Sequence, residues 1–150
     1  MDALSLLKED HDKVKKILSD LDSTTERGVK TRQELFAKVK NELQVHEAIE
    51  EEIFYPALKE HPKAKELVLE GYEEHNVVDM VMHEIEGVPF DDETWGAKLT
   101  VMKENVEHHM AEEENDMFKQ ARQVFDLQDL EDLGDRMQSR KQELMTAAVR

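Results

Sequence analysis

Cysteine is absent from this 150-residue chain. Its absence excludes a disulfide scaffold, a thiolate zinc finger, an iron–sulfur cluster and a thiol nucleophile. Basic residues are scarce beside acids: 20 lysines and arginines face 36 aspartates and glutamates, for a net charge of −16. Nucleic acid is an unsuitable partner for that balance, because a polyanion is repelled without a basic patch to neutralise its phosphates. No apolar run approaches the roughly 18 residues that span a bilayer, so no membrane segment is expected. The stretch MDALSLLKEDHDKV has no basic segment followed by an apolar one, and a cytoplasmic protein is expected. Glycine and proline are few, five and three, so little interrupts a helix. Strand-like alternation with turn signals is missing too.

What remains is a set of long helical segments. The first is predicted from about Asp2 to Asp22, with Leu4, Leu7, Val14, Leu18 and Leu21 in the 3-4 spacing of a bundle seam. A loop through Ser23, Thr24, Thr25 and Gly28 leads to a second segment from about Thr31 to Lys59. Pro62 suits the first turn of a third helix, which ends at Gly87. Val88 to Asp92 reads as a loop, and Asp91 or Asp92 as the cap of a fourth helix running to about Phe125. A shorter helix covers about Leu130 to Met145. Long segments with short connections predict an all-α, up-down-up-down four-helix bundle with an additional C-terminal helix. We expect one domain over residues 1–150, with the bundle at about 2–125 and the extra helix at about 130–145.

The seams are interrupted by ionisable residues at matching depth. The second helix carries the ladder Phe36, Val39, Leu43, His46, Glu50, Ile53 and Ala57. The fourth carries Leu99, Met102, Val106, His109, Glu113, Met117 and Ala121. In both, a histidine and a glutamate four residues apart occupy core positions. His11 falls between Leu7 and Val14 in the first helix, and His75 lies on the seam of the third. Burying so many ionisable groups uncompensated costs several kcal/mol per charge. A metal removes that cost, because neutral imidazole and carboxylate are both ligands and an i, i+4 pair lies on one helix face. Four imidazoles and two carboxylates suit two ions with carboxylates between them better than one tetrahedral ion. Nitrogen and oxygen donors favour iron or manganese, and zinc and copper bind such donors as well.

Bland readings apply elsewhere. Met82, Met102 and Met117 are core filler, and Glu51, Glu52, Glu112 and Glu114 point outward on the helical wheel. His61 and His83 read as surface residues. His108, with Glu112 four residues on, is an alternative register to His109, which continues the ladder. Asp79, four residues after His75, reads as a further ligand, a support for an imidazole or a surface residue. Tyr72 reads as a core aromatic or as a hydrogen-bond donor to a bound oxygen species.

The stretches DHDKVKKIL around His11, HEAIEEEIFYPAL from His46, EEHNVVDMV around His75 and EHHMAEEENDMF around His109 resemble the successive motifs of the hemerythrin-like family, the HHE cation-binding domain. The tail LEDLGDRMQSRKQELM is similar to the closing helix of its bacterial stand-alone members. The resemblance implies a non-haem di-iron centre inside the bundle, with His11, His46, His75 and His109 as terminal ligands. It implies Glu50 and Glu113 as bridging carboxylates, with a solvent-derived oxo or hydroxo bridge. It implies binding, sensing or turnover of dioxygen, peroxide or nitric oxide; iron storage or buffering, or a metal-sensing module, without catalysis is the alternative. The chain departs from the oxygen-carrier branch, which has a second histidine where Asp79 stands and an aspartate five residues after the helix-four histidine. Simple oxygen transport is therefore not expected. A ferritin-like site is disfavoured, because no glutamate stands three residues before any of the seven histidines.

Overall fold

The computed structural model describes residues 1–149, and among them there is no strand. Helix α1 spans Ala3–Asp22 and opens on Asp2, whose side chain accepts from the Ser5 amide at 3.0 Å. Helix α2, Val29–Ile49, continues through a π-turn at Glu50–Phe54 into α3, Tyr55–Lys59. Helix α4 spans Lys65–Glu86. Helix α5, Trp95–Glu112, continues through a second π-turn at Glu113–Met117 into α6, Phe118–Val124. Helix α7 spans Leu127–Val149.

Helix ends differ from expectation where local hydrogen bonds compete. Pro62 lies in the loop before α4, where the Ala64 amide donates to the His61 carbonyl. Asp92 accepts from both the amide and the hydroxyl of Thr94, at 2.8 and 2.6 Å, so it ties the turn before α5. Helix α7 begins three residues before Leu130, because Asp126 and Asp129 each accept the other's amide, at 3.1 and 2.8 Å.

The bundle is up-down-up-down, with α1 packed against α2 and α5, and α4 against α5. The additional helix α7 lies against α1, α2 and the first π-turn. It meets the start of α1 closely: a Cβ on Gly134 would stand 2.8 Å from the Ala3 nitrogen.

The core is split. One apolar cluster includes Leu7, Phe54, Leu58, Val68, Phe118 and Met137. The other includes Val14, Leu43, Val78, Met102, Val106 and Trp95. Between them runs a layer of buried histidine and glutamate. Water is kept out from both ends, and the far end is closed by buried Arg32, which donates to the Phe90 carbonyl and lies 4.5 Å over the Trp95 ring. No helix among the described residues is long and apolar enough to cross a membrane.

Candidate metal centre

Both π-turns begin on the glutamate of a His-x-x-x-Glu pair. In each, the i→i+5 bond runs back to that glutamate's own carbonyl, from the Tyr55 amide to Glu50 and from the Phe118 amide to Glu113. Such wide turns concentrate at functional sites because they re-aim side chains within a helix. The first one changes the seam. The plain ladder runs Glu50, Ile53, Ala57, but the fully buried residues are Phe54, Tyr55 and Leu58, while Ile53 and Ala57 are only half-buried. The one-residue slip carries Tyr55 into the polar layer. Gly71 makes room for it: a Cβ there would lie 2.8 Å from the Tyr55 hydroxyl.

The structure brings His11, His46, Glu50, His75, His109 and Glu113 together, each at most 6 % exposed. They form two groups of facing ligand atoms, His11, His46, Glu50 and Glu113 in one and Glu50, His75 and His109 in the other. The imidazoles are paired, His11 with His46 at 5.0 Å between ring centres and His75 with His109 at 4.9 Å. The two carboxylates stand between the pairs. Glu50 Oε1 lies 3.1 Å from Nε2 of both His46 and His75. Glu113 reaches His11 Nε2 with one oxygen at 3.0 Å and His109 Nε2 with the other at 3.4 Å. The Tyr55 hydroxyl donates to that second oxygen at 2.8 Å.

Each ring turns its other nitrogen outward onto a carboxylate. His11 Nδ1 donates to Glu114 at 2.7 Å, His46 Nδ1 to Asp10 at 3.0 Å, His75 Nδ1 to Glu51 at 2.8 Å and His109 Nδ1 to Glu74 at 3.0 Å. A carboxylate only accepts, so all four Nδ1 atoms carry a proton, and the inward Nε2 atoms are the ones left to hold either a second proton or a cation. Asp10 is itself held by Lys141 of α7.

The electrostatics follow from this crowd of acids. Burial pushes His46 and His109 down, but the charge of Glu50 on the first and the nearby carboxylates of Glu113 and Glu74 on the second outweigh it. His46 stands well above the usual histidine range and His109 is pushed up to about 10. Burial pushes the Glu113 carboxyl up, yet its contacts with Glu50, His109 and His11 hold it well below the carboxylate range. Burial and the charge of Glu113 raise Tyr55, so its hydroxyl stays protonated. The inner space favours positive charge at the Nε2 positions, whether a proton or a cation.

A cation fits the residues present. His46 Nε2, His109 Nε2 and Glu50 Oε2 are fully buried and have no hydrogen-bond partner. Such orphans cost about 1–3 kcal/mol each when nothing meets them. The donors are all nitrogen and oxygen, four imidazoles and two carboxylates, and ions within each group would satisfy them.

The other candidate residues lie outside this layer. Asp79 is exposed and faces the buried Glu47 in a surface groove; burial and this like-charged neighbour push Glu47 up to about 9. The His108 side chain is 69 % exposed and pairs with Glu112 at 3.0 Å. Tyr72 reaches only the Glu51 carbonyl, at 3.4 Å, and packs edge-on to Tyr55. It is Tyr55, not Tyr72, that offers a hydroxyl to the centre. Glu51 and Glu114, read from the helical wheel as outward, are half-buried supports of His75 and His11. A signal for them existed: each supporting acid is the immediate chain neighbour of an inward residue, Asp10 beside His11, Glu51 beside Glu50, Glu74 beside His75 and Glu114 beside Glu113.

The model of the hemerythrin HHE cation-binding domain matches residues 2–121. The chain belongs to the hemerythrin HHE family. Family members of this type bind metal cations, and the clustered His and Glu side chains agree with that. The fold is similar to the crystal structure of a hemerythrin HHE cation binding domain-containing protein from Mycobacterium kansasii, with a TM-score of 0.90 and 27 % identity. That similarity covers 99 % of this chain and 90 % of the other. No curated protein matches the chain. Helix α7 lies beyond the residues matched to the HHE model, yet its Lys141 reaches the support of His46.

Proposed function

We propose that this HHE protein is a non-haem di-iron protein that binds, senses or turns over a small oxygen or nitrogen species such as dioxygen, peroxide or nitric oxide. The observation that supports this reading is the duplication: two imidazole pairs face one another across two shared carboxylates. His11 and His46 would hold one ion, His75 and His109 the other, with Glu50 and Glu113 between them. When bound, two such ions supply Lewis acidity and one-electron chemistry toward a small ligand.

The chain's own residues do the rest. The four outward carboxylates keep each imidazole in one tautomer and one orientation. Tyr55 holds a proton 2.8 Å from Glu113 Oε2, the one hydroxyl among the described residues in direct contact with a central carboxylate. That hydrogen bond draws charge from one oxygen of Glu113 and leaves the other to His11. The two apolar clusters exclude water above and below the layer. Six inward residues make a centre for two ions and no larger store, which speaks for ligand chemistry over storage.

Anaerobic reconstitution followed by metal analysis tests the reading. Two iron ions per chain and an oxo-bridged diferric absorption band are expected. His46→Ala and Glu113→Ala are each expected to lose at least one ion per chain and most peroxide consumption. A wild-type protein that retains no metal, with a His46→Ala variant of unchanged stability, would overturn it. Peroxide consumption equal in wild type and Glu113→Ala would remove turnover and leave binding or sensing.

A further inference from the structure

A crevice of about 60 Å³ opens beside α4 and the second π-turn and ends on His109 and Glu113. It is small: organic substrates occupy pockets of roughly 300 Å³ or more. A molecule of two or three heavy atoms fits, and little else. Leu67 and the buried Met117 form its apolar wall. Apart from His109 at its inner end, its polar lining is all carboxylate. Glu70, Glu112 and Asp116 stand at the solvent side, Glu74 lies further in, and neither lysine nor arginine lines it. The histidine at its inner end is 6 % exposed, and its Nε2 has no hydrogen-bond partner.

We infer that this crevice is the ligand entrance of the centre and that its acidic lining admits small uncharged molecules while turning back small anions. The inference rests on the two-metal reading above and narrows its substrate class. Hydrogen peroxide, dioxygen and nitric oxide pass as neutral species; superoxide, nitrite and azide meet a field of their own sign in a narrow, low-dielectric passage, where repulsion acts most strongly. The larger groove lined by Glu47 and Asp79 does not include any of the six inward residues, so it offers no equivalent approach.

The test compares an anion with a neutral molecule at the same centre. Iron-loaded protein, its content checked by metal analysis, is mixed in stopped flow with azide or with nitric oxide. In wild type the azide association rate should rise with ionic strength and that of nitric oxide should not. The double variant Glu70→Gln, Asp116→Asn should accelerate azide entry about tenfold at low salt, with nitric oxide within twofold of wild type. Leu67→Trp, which fills the crevice, should slow both at least tenfold. Azide rates indifferent to the double variant, or both rates unchanged in Leu67→Trp, would overturn the proposal.

A second arm needs no metal. The indole at position 67 should be quenched by neutral dioxygen far more than by iodide, and adding Glu70→Gln and Asp116→Asn should restore iodide quenching. Protein that loads no iron would defeat the two-metal reading, and the quenching arm would still report on the crevice. Equal quenching by iodide and dioxygen before the charges are removed refutes the selectivity.

Discussion

Replacing Asp10 by asparagine keeps the shape of the side chain and removes its charge from behind His46. The four supporting carboxylates make similar hydrogen bonds, 2.7 to 3.0 Å long, but they differ in contact with solvent. Asp10 is 5 % exposed, Glu114 21 %, Glu74 28 % and Glu51 39 %. Water screens the field of an exposed carboxylate and can replace its hydrogen bond, so burial decides how much each contributes. Losing the carboxylate behind a metal-bound imidazole typically weakens metal binding about 10- to 100-fold, or about 1.4 to 2.8 kcal/mol. Asp10→Asn is expected at the upper end and Glu51→Gln at or below the lower end, with Glu114→Gln and Glu74→Gln between. The assay is competition with a chromophoric chelator, site by site, with the melting temperature of the metal-free variants as a control for folding. A Glu51→Gln loss as large as that of Asp10→Asn would refute the burial argument. No loss in any of the four would refute the role of these carboxylates altogether.

Tyr55→Phe removes the proton donor to Glu113 and keeps the ring that stacks 5.4 Å from His75. A hydrogen bond to a charged group contributes about 1.5–3 kcal/mol, so a thermal melt should show a drop of that order with two ions still bound. Gly71→Ala places a methyl 2.8 Å from the Tyr55 hydroxyl and should cost about 1–3 kcal/mol by overpacking, read by urea denaturation. In metal-free protein the His109 pKa is raised to about 10 from an ordinary 6.5, so the folded form binds the extra proton. Its stabilisation is complete below 6.5 and is lost as pH rises through 10, while cation affinity rises over the same interval as the competing proton leaves. Denaturation and chelator competition from pH 6 to 10 should show these opposite trends. Lys141→Met removes the cation that holds Asp10 from α7 and should weaken metal binding less than Asp10→Asn, because the carboxylate itself remains.

Much of the molecule is legible from local pattern. Periodicity is a property of one helix by itself, so the 3-4 spacing predicts the helices, their inward faces and the interruptions at His11, His46, Glu50, His75, His109 and Glu113. The same arithmetic assumes 3.6 residues per turn, and it fails where the backbone departs from that pitch. The π-turn at Glu50–Phe54 is such a place. There the seam slips by one residue, Tyr55 turns inward, and Tyr72 is left to the Glu51 carbonyl.

Sequence alone determined the all-helical class, the bundle and the residue types of the polar layer. Tertiary structure decided which side chains meet. Every imidazole takes its supporting carboxylate from another segment: His11 from the second π-turn, His46 from α1, His75 from the first π-turn and His109 from α4. No spacing along one helix reports such a pair, since it depends on how closely two packed helices approach and at what depth. The entrance at His109 and Glu113 is likewise a product of packing, formed where α4 and the second π-turn leave a gap between side chains more than 30 residues apart.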